Sequence, residues 1–167
     1  MPATIVINEY NTVGESKEAN ITNTNMGSDD SPNLDAVANP VVPGENTYEK
    51  YQKLEVTALG GSSKIDAIKI WRTGALGGSA VHKTNARESA YGGAESFATP
   101  VVTASSKAIE TMPSSEPSGA NLGIGGSLTG SLTATGESDY LVHQIQTDAG
   151  DTAGSTSDLN YQYDETA

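Results

Sequence analysis

The chain of 167 residues carries a formal net charge of −12, with 9 Lys and Arg against 21 Asp and Glu, and has no cysteine. Scattered basic residues cannot neutralise a row of phosphates, so a nucleic-acid or anionic-membrane partner is excluded, and without thiols so are disulfides, thiolate nucleophiles and Cys-type zinc sites. An apolar share of 35% and an aromatic share of 5% leave room for one domain with a thin core and an appendage.

Met1-Pro-Ala-Thr-Ile-Val-Ile-Asn-Glu-Tyr10 lacks the basic start and long apolar run of a signal peptide or membrane helix, so the expectation is a protein made soluble inside a cell. Residues 3–10 read as a strand, with Ile5, Ile7 and Glu9 on one face and Val6, Asn8 and Tyr10 on the other. From Asn11 to Glu45 the text is polar and full of turn formers, as in Asn23-Thr-Asn-Met-Gly-Ser-Asp-Asp-Ser-Pro32 and Asn39-Pro-Val-Val-Pro-Gly44. Such a segment cannot bury enough apolar surface to fold alone. Residues 1–45 are therefore expected to form an extended arm with short strands, laid on the chain's own domain or on a neighbour.

Residues 46–167 are expected to form the domain proper. Alternation over residues 48–59 and over Ile65-Asp-Ala-Ile-Lys-Ile-Trp-Arg72, around Gly60-Gly-Ser-Ser63, predicts a hairpin, with Trp71 as a core anchor. Shorter strands are expected at 80–83, 96–102 and 107–112, and another at 127–135, where Leu128, Gly130, Leu132 and Ala134 alternate with hydroxyl residues. Asp139-Tyr-Leu-Val-His-Gln-Ile-Gln146 and Leu159-Asn-Tyr-Gln-Tyr-Asp-Glu165 predict a closing hairpin. Helical periodicity is weak throughout; the best stretch, 84–91, offers only Ala86 and Ala90 as an apolar face. The pattern predicts an all-β fold: an antiparallel β-sandwich of jelly-roll or immunoglobulin-like type preceded by the arm.

No stretch carries a chemical signature. Gly123-Ile-Gly-Gly-Ser-Leu-Thr-Gly130 lacks the Lys of a phosphate loop and the glycine spacing of a dinucleotide fold. His82 and His143 have no metal-ligand spacing, so a zinc site would need carboxylates brought to them by the fold, and a partly buried imidazole is the default. Asp29, Asp30 and Asp35, and Asp148, Asp151 and Asp158, miss the EF-hand spacing. They are read as turn hydrogen-bonders, with a calcium staple of the loop 148–158 as the alternative. Asn20-Ile-Thr22 is a glycosylation sequon read as chance. No catalytic residue, cofactor or metal ligand is assigned, and an enzyme is not expected.

Asn46-Thr-Tyr-Glu-Lys-Tyr51, Ile68-Lys-Ile-Trp71, Ser138-Asp-Tyr-Leu-Val142 and Tyr161-Gln-Tyr-Asp-Glu165 resemble strand sequences of tailed-bacteriophage virion structural proteins. The resemblance spans roughly residues 20–165 and rests on fold-type motifs. It implies a virion location, a role like that of the small head decoration or cement proteins, and binding to the major capsid protein and to copies of itself, often as trimers. In that setting the arm would supply the partner contacts, through Ile5, Val6, Ile7, Tyr10, Val41 and Val42, by adding a strand to a neighbouring sheet. A tail, collar or baseplate component, or a carbohydrate-binding host-attachment module, are the alternatives.

Overall fold

A computed structural model describes residues 1–12, 14–87, 110–152 and 154–167. Among them there is no helix. The strands are β1 (Thr4–Asn11), β2 (Ser16–Glu18), β3 (Lys50–Ala58), β4 (Lys64–Thr73), β5 (Val81–Arg87), β6 (Glu110–Thr111), β7 (Ser131–Leu132), β8 (Gly136–Glu137), β9 (Tyr140–Gln146) and β10 (Asp158–Thr166). They form two antiparallel sheets, one of seven strands in the order β2-β1-β3-β9-β5-β6 with β8 also paired to β3, and one of three in the order β10-β4-β7. The strand expected at 96–102 and the first part of that at 107–112 lie outside the described residues.

One apolar core draws on both sheets. Leu54 and Val56 of β3, Ala86 of β5 and Leu141 of β9 meet Ile65, Ile68 and Ile70 of β4, joined by Met112 and Leu122. Full burial of such aliphatic side chains stabilises by about 1.5–3 kcal/mol each, so a small core of this kind can hold the domain. The β1–β3 ladder runs from Thr4↔Ala58 to Tyr10↔Tyr51, which puts Ile5 and Ile7 beside Leu54 and Val56 against that core. Residues 4–11 are thus built into the larger sheet of their own chain. The following polar segment also lies on that sheet: Ile21 N–H donates to Ile7 O (2.9 Å), Tyr48 N–H to Gly27 O (3.0 Å), and Leu34 is buried.

Both expected hairpins are corrected. β3 and β4 belong to different sheets, and so do β9 and β10. Alternation reports which face of a strand is buried and leaves the neighbouring strand open. The link 59–63 instead arches from one sheet to the other, turning at Gly60 with φ 62°. A Cβ at Gly60 would overlap the carbonyl oxygens of Met1 and Pro2, and Gly61 N–H donates to Met1 O at 2.7 Å. Only glycine allows the chain start to pack so closely there.

The reading of β4 also changes. Between Asp66↔Asp164 and Lys69↔Gln162, Ala67 and Ile68 stand opposite the single residue Tyr163, and Ala67 has φ 53°. This is a β-bulge with a non-glycine residue in the left-handed region. It shifts the side-chain parity, which is how Ile65, Ile68 and Ile70 all point into the core. Trp71, expected as a core anchor, is only half-buried as a result. The continuous strand expected at 127–135 shrinks to β7, because Ile124 and Ser127 close a small bridge and the Ser127 hydroxyl accepts from Thr129 N–H (3.2 Å). Local hydroxyl bonds of this kind compete with a sheet ladder.

Candidate functional site

Register places a polar band across the inner face of the larger sheet. Residues opposite one another share a face, so Glu9 lies with Gln52, Lys50 with His143, and His143 with Thr84. Continuing the β1–β3 ladder one step brings Asn11 beside Lys50. Glu9, Asn11, Lys50, Gln52, His82, Thr84 and His143 are all buried. One end of this face is therefore apolar and packs in the core, while the other is charged and covered by the segment after β2.

At the β1–β3 end, Lys50 Nζ donates to Asn11 Oδ1 at 2.6 Å and to Ser31 O at 2.7 Å, and lies 3.6 Å from Glu9 Oε1. Asn11 Nδ2 donates to the same Glu9 Oε1 at 2.8 Å. Lys50 and Asn11 are 0% exposed and Glu9 3%, so the ion pair is wholly desolvated and each charge depends on the other. Gln52 continues the network by donating to Thr24 Oγ1, while its Oε1 accepts from Tyr161 of β10 (2.6 Å). Burial raises the Tyr161 hydroxyl well above the ordinary phenol range. A polar cavity of about 180 Å³ lies beside this cluster, lined by Glu9, Glu18, Asn20, Asn23, Asn25 and Leu34 among others.

At the β9–β5 end the two histidines meet. Their rings stack with centroids 5.3 Å apart, and His82 Nε2 lies 3.2 Å from His143 Nδ1, so one ring donates to the other. Among the described residues His82 Nδ1 and His143 Nε2 have no hydrogen-bond partner. Burial, reinforced by the Arg72 charge, pushes His82 down to about 4. Burial, with His82 and Lys50 adding to it, holds His143 well below the usual imidazole range. Both rings are neutral at physiological pH. The fold does bring the two histidines together, but among the described residues no group of three or more His, Asp or Glu is arranged to hold a metal ion.

The outer face of the same sheet is aromatic and charged. Tyr10, Tyr51, Tyr140 and Val142 form a second buried cluster. Lys53 Nζ sits 4.0 Å from the centre of the Tyr140 ring and 3.0 Å from Glu137. Lys17 bridges Glu55 (2.8 Å) and Glu137 (3.4 Å). Hydrogen bonds from Lys17 and then Asn8 lower the Glu55 carboxyl. Burial raises that of Glu137, but bonds from Tyr10 and Lys53 and the nearby lysine charges outweigh it, so the net displacement is downward.

The acidic loop after β9 is tied to Ser79, in the link between β4 and β5, and closed by a turn bond of its own. Ser79 N–H and Oγ–H donate to Asp151 Oδ1 (2.5 and 3.0 Å), Asp148 N–H donates to Asp151 Oδ2 (2.8 Å), and the Ser79 hydroxyl also reaches Asp148 Oδ2 (2.9 Å). Those backbone donors lower the Asp151 carboxyl. Asp158 opens β10 instead of joining the pair.

The six residues expected to touch a partner separate into two groups. Ile5 and Ile7 face the core, Val6 stands opposite Glu55, and Tyr10 is buried with its hydroxyl donating to Glu137 (2.6 Å). Val41 is half-buried and Val42 is 39% exposed. The sequence reading missed Glu9, Asn11 and Lys50. Their signal was parity: Glu9 shares the face of Ile5 and Ile7, and Lys50 that of Leu54 and Val56, so charges were due to fall on a buried face. Comparison with protein-family models, with curated proteins and with solved structures gives no match.

Proposed function

We propose that the chain is a non-enzymatic structural protein of a tailed-phage virion. In this reading it is a β-sandwich, of jelly-roll or immunoglobulin-like type, that decorates the head, binding the major capsid protein and copies of itself. The observation that carries the reading is the placement of exposed apolar side chains. Among the described residues the large ones are Met1, Val37 at 91% and Val42 at 39%, and the two valines belong to one surface segment.

That segment is held out by its own turn: Asp35 Oδ1 accepts from Val37 N–H and Ala38 N–H, and Asp35 O accepts from Asn39 N–H. Exposed apolar side chains in one segment of an acidic chain suit docking onto a preformed lattice. The edge strand β10 supports contact between copies, since among the described residues it has a strand neighbour, β4, on one side only. The resemblance of the strand sequences to virion proteins points the same way.

Co-sedimentation of the purified chain with undecorated heads tests this. The double variant Val37→Asp, Val42→Asp should keep the wild-type circular dichroism spectrum and lose at least tenfold in head affinity. Unchanged binding by the folded variant would remove that segment as the contact.

A further inference from the structure

We propose that Lys50 and Asn11 join through an intramolecular isopeptide bond, with Glu9 carrying the protons. The arrangement differs from a simple buried ion pair. In such a pair the carboxylate would be the nearest acceptor of the ammonium, yet Lys50 Nζ is closest to Asn11 Oδ1 (2.6 Å) and Ser31 O (2.7 Å). Glu9 Oε1 is 3.6 Å from Nζ and instead accepts from the amide nitrogen of Asn11 at 2.8 Å. The carboxylate thus touches both the nucleophile and the group that must leave.

Separation and burial favour acyl transfer. A carbonyl bond of about 1.23 Å puts Nζ no farther than about 3.8 Å from Asn11 Cγ, close to the separation at which bound reactants react. Lys50 and Asn11 are 0% exposed and Glu9 3%, so the amine is desolvated, as an attacking lysine must be. β1 and β3 hold the two reacting strands in a fixed antiparallel ladder. The fold supplies the orientation, and no bound group is needed.

The steps balance. The Lys50 ammonium passes a proton to the Glu9 carboxylate, and the free amine attacks Asn11 Cγ, making the N–C bond and placing negative charge on Oδ1. Glu9 returns its proton to the amide nitrogen, the Cγ–Nδ2 bond breaks as the carbonyl reforms, and ammonia leaves. The excess proton on the new amide nitrogen goes to the departing ammonia through Glu9. The net change is an ammonium side chain and a primary amide becoming a secondary amide and an ammonium ion, with no change of oxidation state and Glu9 regenerated. The product ties β1 to β3 and closes the intervening segment, which carries Val37 and Val42, into a covalent loop. In a chain without cysteine this does the work of a disulfide and is indifferent to reduction.

The test is the intact mass of the purified, folded full-length chain under denaturing conditions. The expected mass is one ammonia below that of the sequence, and trypsin should give a branched peptide joining residues 1–17 to residues 18–53, uncut after Lys50. Lys50→Arg should have the full mass of its sequence. Full mass in the folded wild type after prolonged incubation would overturn the proposal. So would ammonia loss with no branched peptide, which marks a succinimide at an asparagine. Glu9→Gln should fold and stay unlinked; a fully linked Glu9→Gln would remove Glu9 from the reaction. If Glu9→Gln fails to fold, Glu9→Asp should link more slowly than wild type on a time course, and linkage at the wild-type rate would be the contrary result.

Discussion

Acid should unfold this protein through its two stacked histidines before its carboxylates titrate. A histidine that is neutral when folded binds fewer protons in the native than in the unfolded chain, so its contribution is complete above an unfolded value near 6.5 and is lost as pH falls toward the folded value. For His82 the fall from 6.5 to about 4 corresponds to about 3 kcal/mol, of which about 2 kcal/mol is gone by pH ~5. His143 is displaced in the same direction by burial, and the charges of His82 and Lys50 on His143 and of Arg72 on His82 add to the cost. The lowered carboxyls of Glu55 and Glu137 lose their contribution only below the ordinary 4.5, and protonation of Asp30, raised by burial, favours the folded chain, so the loss of stability between about 6.5 and 5 falls to the histidines. Urea unfolding at the two ends of that interval is the assay. The wild-type midpoint should fall by about 1 M or more at an m-value of about 2 kcal/mol/M. The double variant His82→Gln, His143→Gln should show a much flatter dependence whatever its absolute stability. An equal pH slope in the double variant would refute the reasoning.

Three further outcomes follow from single positions. Ala67→Val puts a β-branched residue at φ 53° in the bulge and should cost about 1–2 kcal/mol in chemical denaturation, whereas Ala67→Gly should be near neutral, relief of strain being offset by backbone entropy. Asn121 mimics a neighbouring strand for β4, its Oδ1 accepting from Ile70 N–H (2.7 Å) and its Nδ2 donating to Ile70 O (2.8 Å), so Asn121→Ala should lower stability by about 2 kcal/mol by leaving both groups unpaired. Gly78→Ala would press a Cβ onto Asp151 Oδ1 at φ 60°, displacing the carboxylate from Ser79; the thermal midpoint should fall by several degrees, and amide exchange should quicken at Ser79 first.

The strands themselves were legible where alternation is strong, as at residues 3–10, 48–59, 65–72, 139–146 and 159–165, because a half-buried strand writes its two faces into every second residue. What alternation cannot encode is the identity of the neighbouring strand, and so both arches were read as hairpins. The bulge at Ala67 was invisible for a related reason: it preserves an apolar count while shifting its parity, and no glycine marks it. The central polar cluster was half-visible. Glu9 lies two residues after Ile7 and Lys50 four before Leu54, each on a face that carries core aliphatics, but their meeting with Asn11 depends on the β1–β3 register, which the intervening polar segment hides. The nearness of His82 and His143 likewise follows from the pairing of β5 with β9, two strands separated by more than fifty residues of chain.

The head-decoration reading is tested most directly by counting this chain against the major capsid protein in purified virions with quantitative mass spectrometry. A copy ratio near unity is the predicted result and would mean that the protein covers the lattice. A count of about a dozen per particle would move it to a collar, tail or baseplate, and its absence from the particle would contradict the virion assignment altogether.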